Sequence, residues 1–296
     1  MNKYILSCCS TFDLPKEHFE ENDIRYICFH YYLNGKQYPD DLGQTMSFEE
    51  FYEALKDKNV DVKTSQVNSD EFIQYFTPFL ENGNDVLHLC MSSGLSGAYN
   101  SALMAQKELQ KKFPERKIYI VDSLAGSSGG GLIMDKLAKL RDSGMNIDEI
   151  HEWIKENKIK MNHWFFSMDL TFFIRGGRIS KTAGLIGTML KICPILNVNA
   201  EGKLVPILKV RTKEKAIDEM LAKMEQNAEG GLDYSGKCFI SNSACYEDAK
   251  KLADKINEKF KNLEEKVKIN NIGTTIGSHT GPGTVALFFW GNKRID

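Results

Sequence analysis

The chain reads as an α/β protein in two parts. Residues 1–158 form a three-layer α/β/α domain on a parallel sheet, and residues 159–296 an α/β domain on a mixed sheet. Three observations predict this. Strand-like and helix-like segments alternate through the first half, as they do when helices cover both faces of a parallel sheet. In the second half, strand hairpins are interspersed with helices. Finally, polar turns at Thr64, Ser92–Ser96 and Asp122-Ser123 fall where strands end, the edge at which such sheets collect ligands.

In chain order, residues 3–7 make a first strand, followed by the turn SCCSTFDLP and a helix that Pro15 opens. The aromatic and β-branched run RYICFHYYL, residues 25–33, reads as one strand, closed by Asn34-Gly35. Ser47 with Glu50 three residues later is a capping box for a helix over 45–57. Lys63-Thr64-Ser65-Gln66 reads as a polar turn before a helix over 69–81. Residues 86–91 are an apolar strand, 118–121 another, and LAGSSGGG a loop entering a helix over 132–141. A helix over 147–155 ends the first half.

The run HWFFSMDLTFF, 163–173, is strand-like and leads to Arg175-Gly176-Gly177-Arg178, two cations on a tight turn. A small apolar helix over 180–189 is expected next. Strands over 191–198 and 203–210 flank a hairpin turn at Glu201-Gly202. Helices over 212–228 and 245–260, strands over 237–242 and 284–290, strand or loop over 267–275 and the turn IGSHTGPG complete the chain.

The stretch VLHLCMSSGLSGAYNSA, 86–102, organises the first half. A strand running through a Gly/Ser turn into a helix leaves backbone N–H groups and hydroxyls that suit a phosphate or a carboxylate. A plain strand-to-helix turn with a serine cap is the alternative. Neither a dinucleotide fingerprint nor a Walker loop is present.

Composition narrows the classes. A hydrophobic content of 42% and charged content of 26% describe an ordinary globular chain, and a net charge of −2 gives no electrostatic case for nucleic acid. No apolar run approaches the roughly 18–20 residues of a membrane span, so membrane contact is at most transient. Asp13 and Pro15 interrupt the N-terminal apolar segment, which is too short for a signal peptide. The seven cysteines are scattered without a C-x-x-C pair. A reduced, cytoplasmic protein without disulfides is expected, with no metal and no cofactor. The basic run Lys209, Arg211, Lys213 and Lys215 reads as a solvated face, or as a docking surface for an acidic partner.

Six blocks then occur in order: TSQ at 64–66, SSGLSGAYNSA at 92–102, VDS at 121–123, DLTFFIRGGRIS at 169–180, KICPIL at 191–196 and IGSHTGPGT at 276–284. Together they resemble the DegV family of bacterial fatty-acid-binding proteins, over essentially the whole chain. The resemblance implies two α/β domains, the C-terminal one two-layered, with a long-chain fatty acid in a tunnel. It also implies a partner, a fatty acid kinase catalytic subunit, which phosphorylates the bound carboxylate for phospholipid synthesis. The DegV-like protein would carry substrate without being an enzyme.

Carried over by block, Thr64 and Ser65, a serine of the SSGLSG turn (Ser93 or Ser96) and His279 would hold the carboxylate. Arg175 and Arg178 would face the domain interface and the partner. The chain departs from the family's usual Asp-Ser-Thr turn, having Ser7-Cys8-Cys9-Ser10-Thr11, and has Val67 where Pro is common. A reading from another class is a serine hydrolase acting on acyl esters, with Ser93 or Ser96 as nucleophile and His279 as base. It lacks a G-x-S-x-G elbow and an identifiable acid.

Overall fold

In a computed structural model, which describes residues 4–57, 59–180 and 192–294, the first half is built on a four-stranded parallel sheet. Its strands are β1 (Tyr4–Cys9), β2 (Ile24–Ile27), β6 (Asp85–Cys90) and β7 (Ile118–Asp122), in the order β2-β1-β6-β7. Strand β6 is buried along its whole length, as a central strand covered on both faces must be. Helices α1 (Lys16–Glu21), α3 (Ser69–Glu81), α4 (Ala98–Lys112), α5 (Ser127–Asp142) and α6 (Ile147–Asn157) flank it.

A six-stranded mixed sheet occupies the second half, in the order β10-β9-β8-β13-β11-β12. These strands are β8 (Met161–Ser167), β9 (Cys193–Val198), β10 (Leu204–Val210), β11 (Cys238–Asn242), β12 (Lys268–Asn271) and β13 (Thr284–Trp290). All neighbours are antiparallel except β11 and β12. Helices α8 (Lys213–Asn227) and α9 (Tyr246–Lys259) pack on it. The expected helix over 180–189 lies, but for Ser180, outside the described residues.

Five expectations change. The run 25–33 is two strands, because Phe29 bends the chain: its N–H donates to Ser10 Oγ and its carbonyl accepts from Asp40. The second piece, β3 (His30–Leu33), pairs with β4 (Lys36–Pro39) and β5 (Val62–Ser65) in a separate antiparallel sheet. Helix α2 (Phe48–Ala54), with its capping box, packs on that sheet. Thr64 and Ser65 therefore sit on a strand and not in a turn. The stretch SSGGG is helical, inside α5, which is buried between the two large sheets. A Cβ on Gly130 would come within 2.2 Å of the Phe12 ring, so glycine is what lets α5 approach that closely.

The other two changes fall near the RGGR turn and the histidine. After β8 the aromatic run turns into α7 (Thr171–Arg175) instead of continuing as strand. The block IGSHTGPGT opens as helix α10 (Thr274–Thr280) instead of a loop.

Candidate functional site

A cavity of about 680 Å³ lies where β5, the serine turn, α7, α10 and the β9–β10 hairpin meet. Its wall is mainly apolar, with Phe29, Leu95, Phe165, Phe173, Ile276 and Phe288 among the lining side chains. Asp61, Lys63, Gln66 and Arg175 line it and are exposed, which marks its opening. Near them stand the half-buried Thr64, Ser65, Ser96, Arg178 and His279.

His279 is placed by α10, whose N-terminus is held from the first half. Gly273 N–H donates to Asp13 Oδ1 (3.0 Å), and Thr274 donates to Asp40 Oδ1 through N–H (3.2 Å) and hydroxyl (2.7 Å). Asp13 also accepts from Ser127 Oγ, and Asp40 from Ser10 Oγ. Burial pushes both carboxyls above the usual carboxylate range, partly offset by these hydrogen bonds. Tyr52 OH donates to Ile272 carbonyl (2.8 Å), fixing the approach to the helix.

The imidazole Nε2 is 2.7 Å from Thr64 Oγ1, a contact between residues 215 apart in sequence. Its Nδ1 is buried with no hydrogen-bond partner among the described residues and packs against Gly176. Burial, then the positive charge of Arg178, lowers its pKa to about 4, so the ring is neutral at pH 7. A neutral ring has one N–H. With no acceptor at Nδ1, that proton belongs on Nε2, donated to Thr64 Oγ1. Thr64's own hydroxyl hydrogen is then free for an acceptor in the cavity.

The RGGR turn approaches this histidine closely. A Cβ on Gly176 would lie 2.1 Å from His279 Nδ1, so the position admits the ring only as glycine. Arg178 donates to the carbonyls of Gly176 (2.6 Å) and Leu95 (3.2 Å). Arg175 donates to Val60 carbonyl (3.3 Å) and lies over the Phe172 ring at 4.7 Å. Both arginines brace the turn and both line the cavity.

The serine turn differs from its expected role as a set of open backbone donors. Ser93 N–H goes to Asp122, Gly94 N–H to Ser92 Oγ, Leu95 and Ser96 N–H to Ser92 carbonyl, and Ala98 N–H to Ser96 Oγ. Ser92 Oγ itself donates to Gly202 carbonyl (2.8 Å), tying the turn to the β9–β10 hairpin. Ser93 is exposed and is not among the residues lining the cavity, whereas Ser96 lines it. Ser96 Oγ accepts from the helix start and keeps its own hydrogen to donate.

Of the residues expected at the site, Thr64, Ser65, Ser96, Arg175, Arg178 and His279 come together and Ser93 does not. Sequence reasoning did not single out Asp13, Asp40 or Gly176 for this site. The SCCSTFDLP turn held the only hint of Asp13; Asp40 and Gly176 become visible only through contacts across the fold.

Comparison with known proteins gives a consistent picture. A model of the DegV family, described as an uncharacterised protein family, matches residues 9–292. A DegV domain-containing protein of Clostridium perfringens is 37% identical over 294 residues, covering 99% of both chains. Another from Lactococcus lactis is 36% identical over 87% of this chain and 92% of its own. A Thermotoga maritima structure reported to reveal fatty acid binding function superposes with a TM-score of 0.85 at 26% identity, over 99% of this chain and 100% of that one. A Thermus thermophilus DegV family protein described by its fatty acid binding gives 0.86 at 25% identity, over 98% and 100%. Matched from one end to the other in sequence and in fold, the chain belongs to the DegV family.

Proposed function

We propose that this protein binds a long-chain fatty acid, tail in the apolar cavity and carboxylate at Thr64, Ser65, Ser96 and His279. One observation carries the reading: hydroxyls and an imidazole from distant segments converge at the open end of a mainly apolar cavity. At about 0.8 kcal/mol per buried methylene, a 16-carbon tail contributes roughly 11–12 kcal/mol before ordering costs. The tail supplies most of the affinity. The head-group residues supply specificity, since a carboxylate buried without partners would be costly. The solved relatives described as binding fatty acids support the same assignment.

On this reading the protein is a carrier, not an enzyme. It presents the carboxylate to a partner fatty acid kinase, which makes an acyl-phosphate for phospholipid synthesis in the cytoplasm. Arg175, exposed beside the opening, is the residue we assign to that encounter, and Arg178 to both the encounter and the head group. The two halves of the chain, divided near residue 158, would each supply one wall. The hydrolase alternative gains nothing from the geometry. Ser93 is off the cavity, and although Ser96 lines it, His279 Nδ1 meets no acid among the described residues to orient it.

Native mass spectrometry of the protein purified from bacteria tests the proposal. A co-purified acyl chain is expected, together with micromolar or tighter binding of palmitate after delipidation. A delipidated protein that keeps its fold and takes up no fatty acid overturns it. Kinase transfer to bound palmitate, lost in Arg175→Ala while lipid is retained, tests the partner assignment separately.

A further inference from the structure

Strands β1 and β6 lie side by side, with Ser7 opposite His88. Side chains alternate along a strand, so Ser7 and Cys9 share a face, as do His88 and Cys90. Continuing the register sets Cys9 beside Cys90. Cys9 Sγ, His88 Nε2 and Cys90 Sγ accordingly lie within 4.8 Å of one another, and all three residues are fully buried. Cys8 points to the opposite face, into the core shared with α5. The cavity uses none of these groups.

The imidazole is oriented as a metal ligand is. Its Nδ1 is 2.9 Å from Ser7 Oγ, which is 2.9 Å from Tyr75 OH. The rings of Phe72 and Phe76 close edge-on at 5.3 and 5.2 Å. With Nδ1 committed to that relay, Nε2 faces the thiols, 3.7 Å from Cys9 Sγ. Two donors about 2.0–2.3 Å from one ion, at tetrahedral to trigonal angles, stand about 3.6–3.8 Å apart. The 3.7 Å between Cys9 Sγ and His88 Nε2, a thiol–imidazole hydrogen bond without an ion, matches the spacing of two ligands of one ion, and Cys90 Sγ lies within 4.8 Å of both. The lack of a C-x-x-C pair speaks only of ligands near in sequence; here the sheet register brings them together.

We propose that Cys9, His88 and Cys90 bind one thiophilic d10 ion, Zn²⁺ or Cu⁺, as a structural site between the two central strands. Thiolate and imidazole donors suit both ions. With Zn²⁺, two thiolates and a neutral imidazole make an uncharged unit, which a buried site favours, and binding releases both thiol protons. With Cu⁺, one thiolate achieves the same balance and one proton leaves. Because the three residues are buried, the ion enters as the sheet forms. It would tie β1 to β6 one residue before Met91, which lines the cavity.

The test uses the full chain, unfolded under reducing conditions and refolded with one equivalent of ZnCl₂, or anaerobically with Cu⁺ held by a weak chelator. Bound metal is measured by mass spectrometry after desalting. One ion per chain is expected in the wild type and in Cys8→Ala. Less than a tenth as much is expected in Cys9→Ser and Cys90→Ser. Refolding with Co²⁺ should give thiolate-to-metal charge-transfer absorption that these two variants lose. Whichever of Zn²⁺ and Cu⁺ is retained identifies the ion. Refolded wild type that takes up neither overturns the proposal, as do folded serine variants that keep the metal. If the serine variants do not fold, the wild type decides alone: the ion must raise its melting temperature, and an unchanged melting temperature overturns the site.

Discussion

The two walls of the cavity are built differently. The wall from the first half presents hydroxyls on elements that hold themselves: Thr64 and Ser65 in a strand paired to β3, Ser96 at the start of a 15-residue helix. The wall from the second half presents Arg175 and His279 on helices of 5 and 7 residues, and Arg178 in the turn that follows the first of them. Helices that short do not stand alone in water. Much of their anchoring comes from across the cavity: Asp13 and Asp40 at the start of α10, Tyr52 just before it, and the carbonyls of Val60 and Leu95 under the arginines. The cationic wall therefore borrows its position from the hydroxyl wall. Changes that cut a cross-cavity anchor should cost more function than changes to a local cap.

The sharpest way to break this arrangement is Gly176→Ala. The new methyl would meet His279 Nδ1 at 2.1 Å, and the ring must move away from Thr64. Palmitate affinity should fall by about 10–100-fold, the loss of roughly 1.4–2.7 kcal/mol, measured by displacement of a fluorescent fatty acid. Unchanged affinity would mean that the ring's position does not matter to the ligand.

Asp40→Ala should come next. It removes the acceptor of two hydrogen bonds at the start of α10 and the partner of Ser10, all buried. A loss of about 1–3 kcal/mol is expected in denaturant titrations, with weaker palmitate binding. Asn68→Ala supplies the contrast, because it removes a side-chain cap local to α3. It should cost about 1 kcal/mol of stability and leave palmitate affinity alone. Equal losses of affinity in the two variants would erase the distinction between walls.

A smaller effect is expected from Thr64→Val, which deletes one donor and keeps the shape. Palmitate should bind about 5–10-fold more weakly, while the corresponding fatty alcohol, lacking the carboxylate, should bind almost unchanged. A parallel loss for both ligands would show that Thr64 packs against the tail and does not serve the head.

What the sequence disclosed follows the same division. Local signals carried local facts: the Ser47 capping box, the Asn34-Gly35 turn and the strand-turn-helix at 86–102 all appear in the fold. The convergence of Thr64, Ser96 and His279 was legible through the order of the six blocks, since no spacing joins residues 215 apart. Three features were out of reach. SSGGG has poor helix propensity and is helical because two sheets press on it, a tertiary override of local preference. The run 25–33 splits at Phe29 through bonds to Ser10 and Asp40 that only the folded chain creates. The serine turn looks like a nest of free donors in sequence, yet its own hydroxyls and Asp122 use many of them.

The pH response of His279 isolates a single side chain of the borrowed wall. Burial and then Arg178 hold its pKa at about 4, below the ordinary 6.5. In the unfolded chain the ring takes a proton once the pH drops below about 6.5, while the folded chain refuses it until about 4. The neutral ring thus adds no penalty at pH 7, and stability is lost progressively as pH falls between those values, by at most a few kcal/mol. His279→Gln removes the titration and leaves every other group in place. The wild type should therefore lose more stability than the variant between pH 7 and pH 5 in denaturant titrations. A bound carboxylate favours the protonated ring and raises its pKa, so saturating palmitate should shrink that difference. Identical pH slopes for the delipidated wild type and variant would mean that Arg178 and burial do not hold the ring neutral, and that the proton assigned to Nε2 must be placed elsewhere.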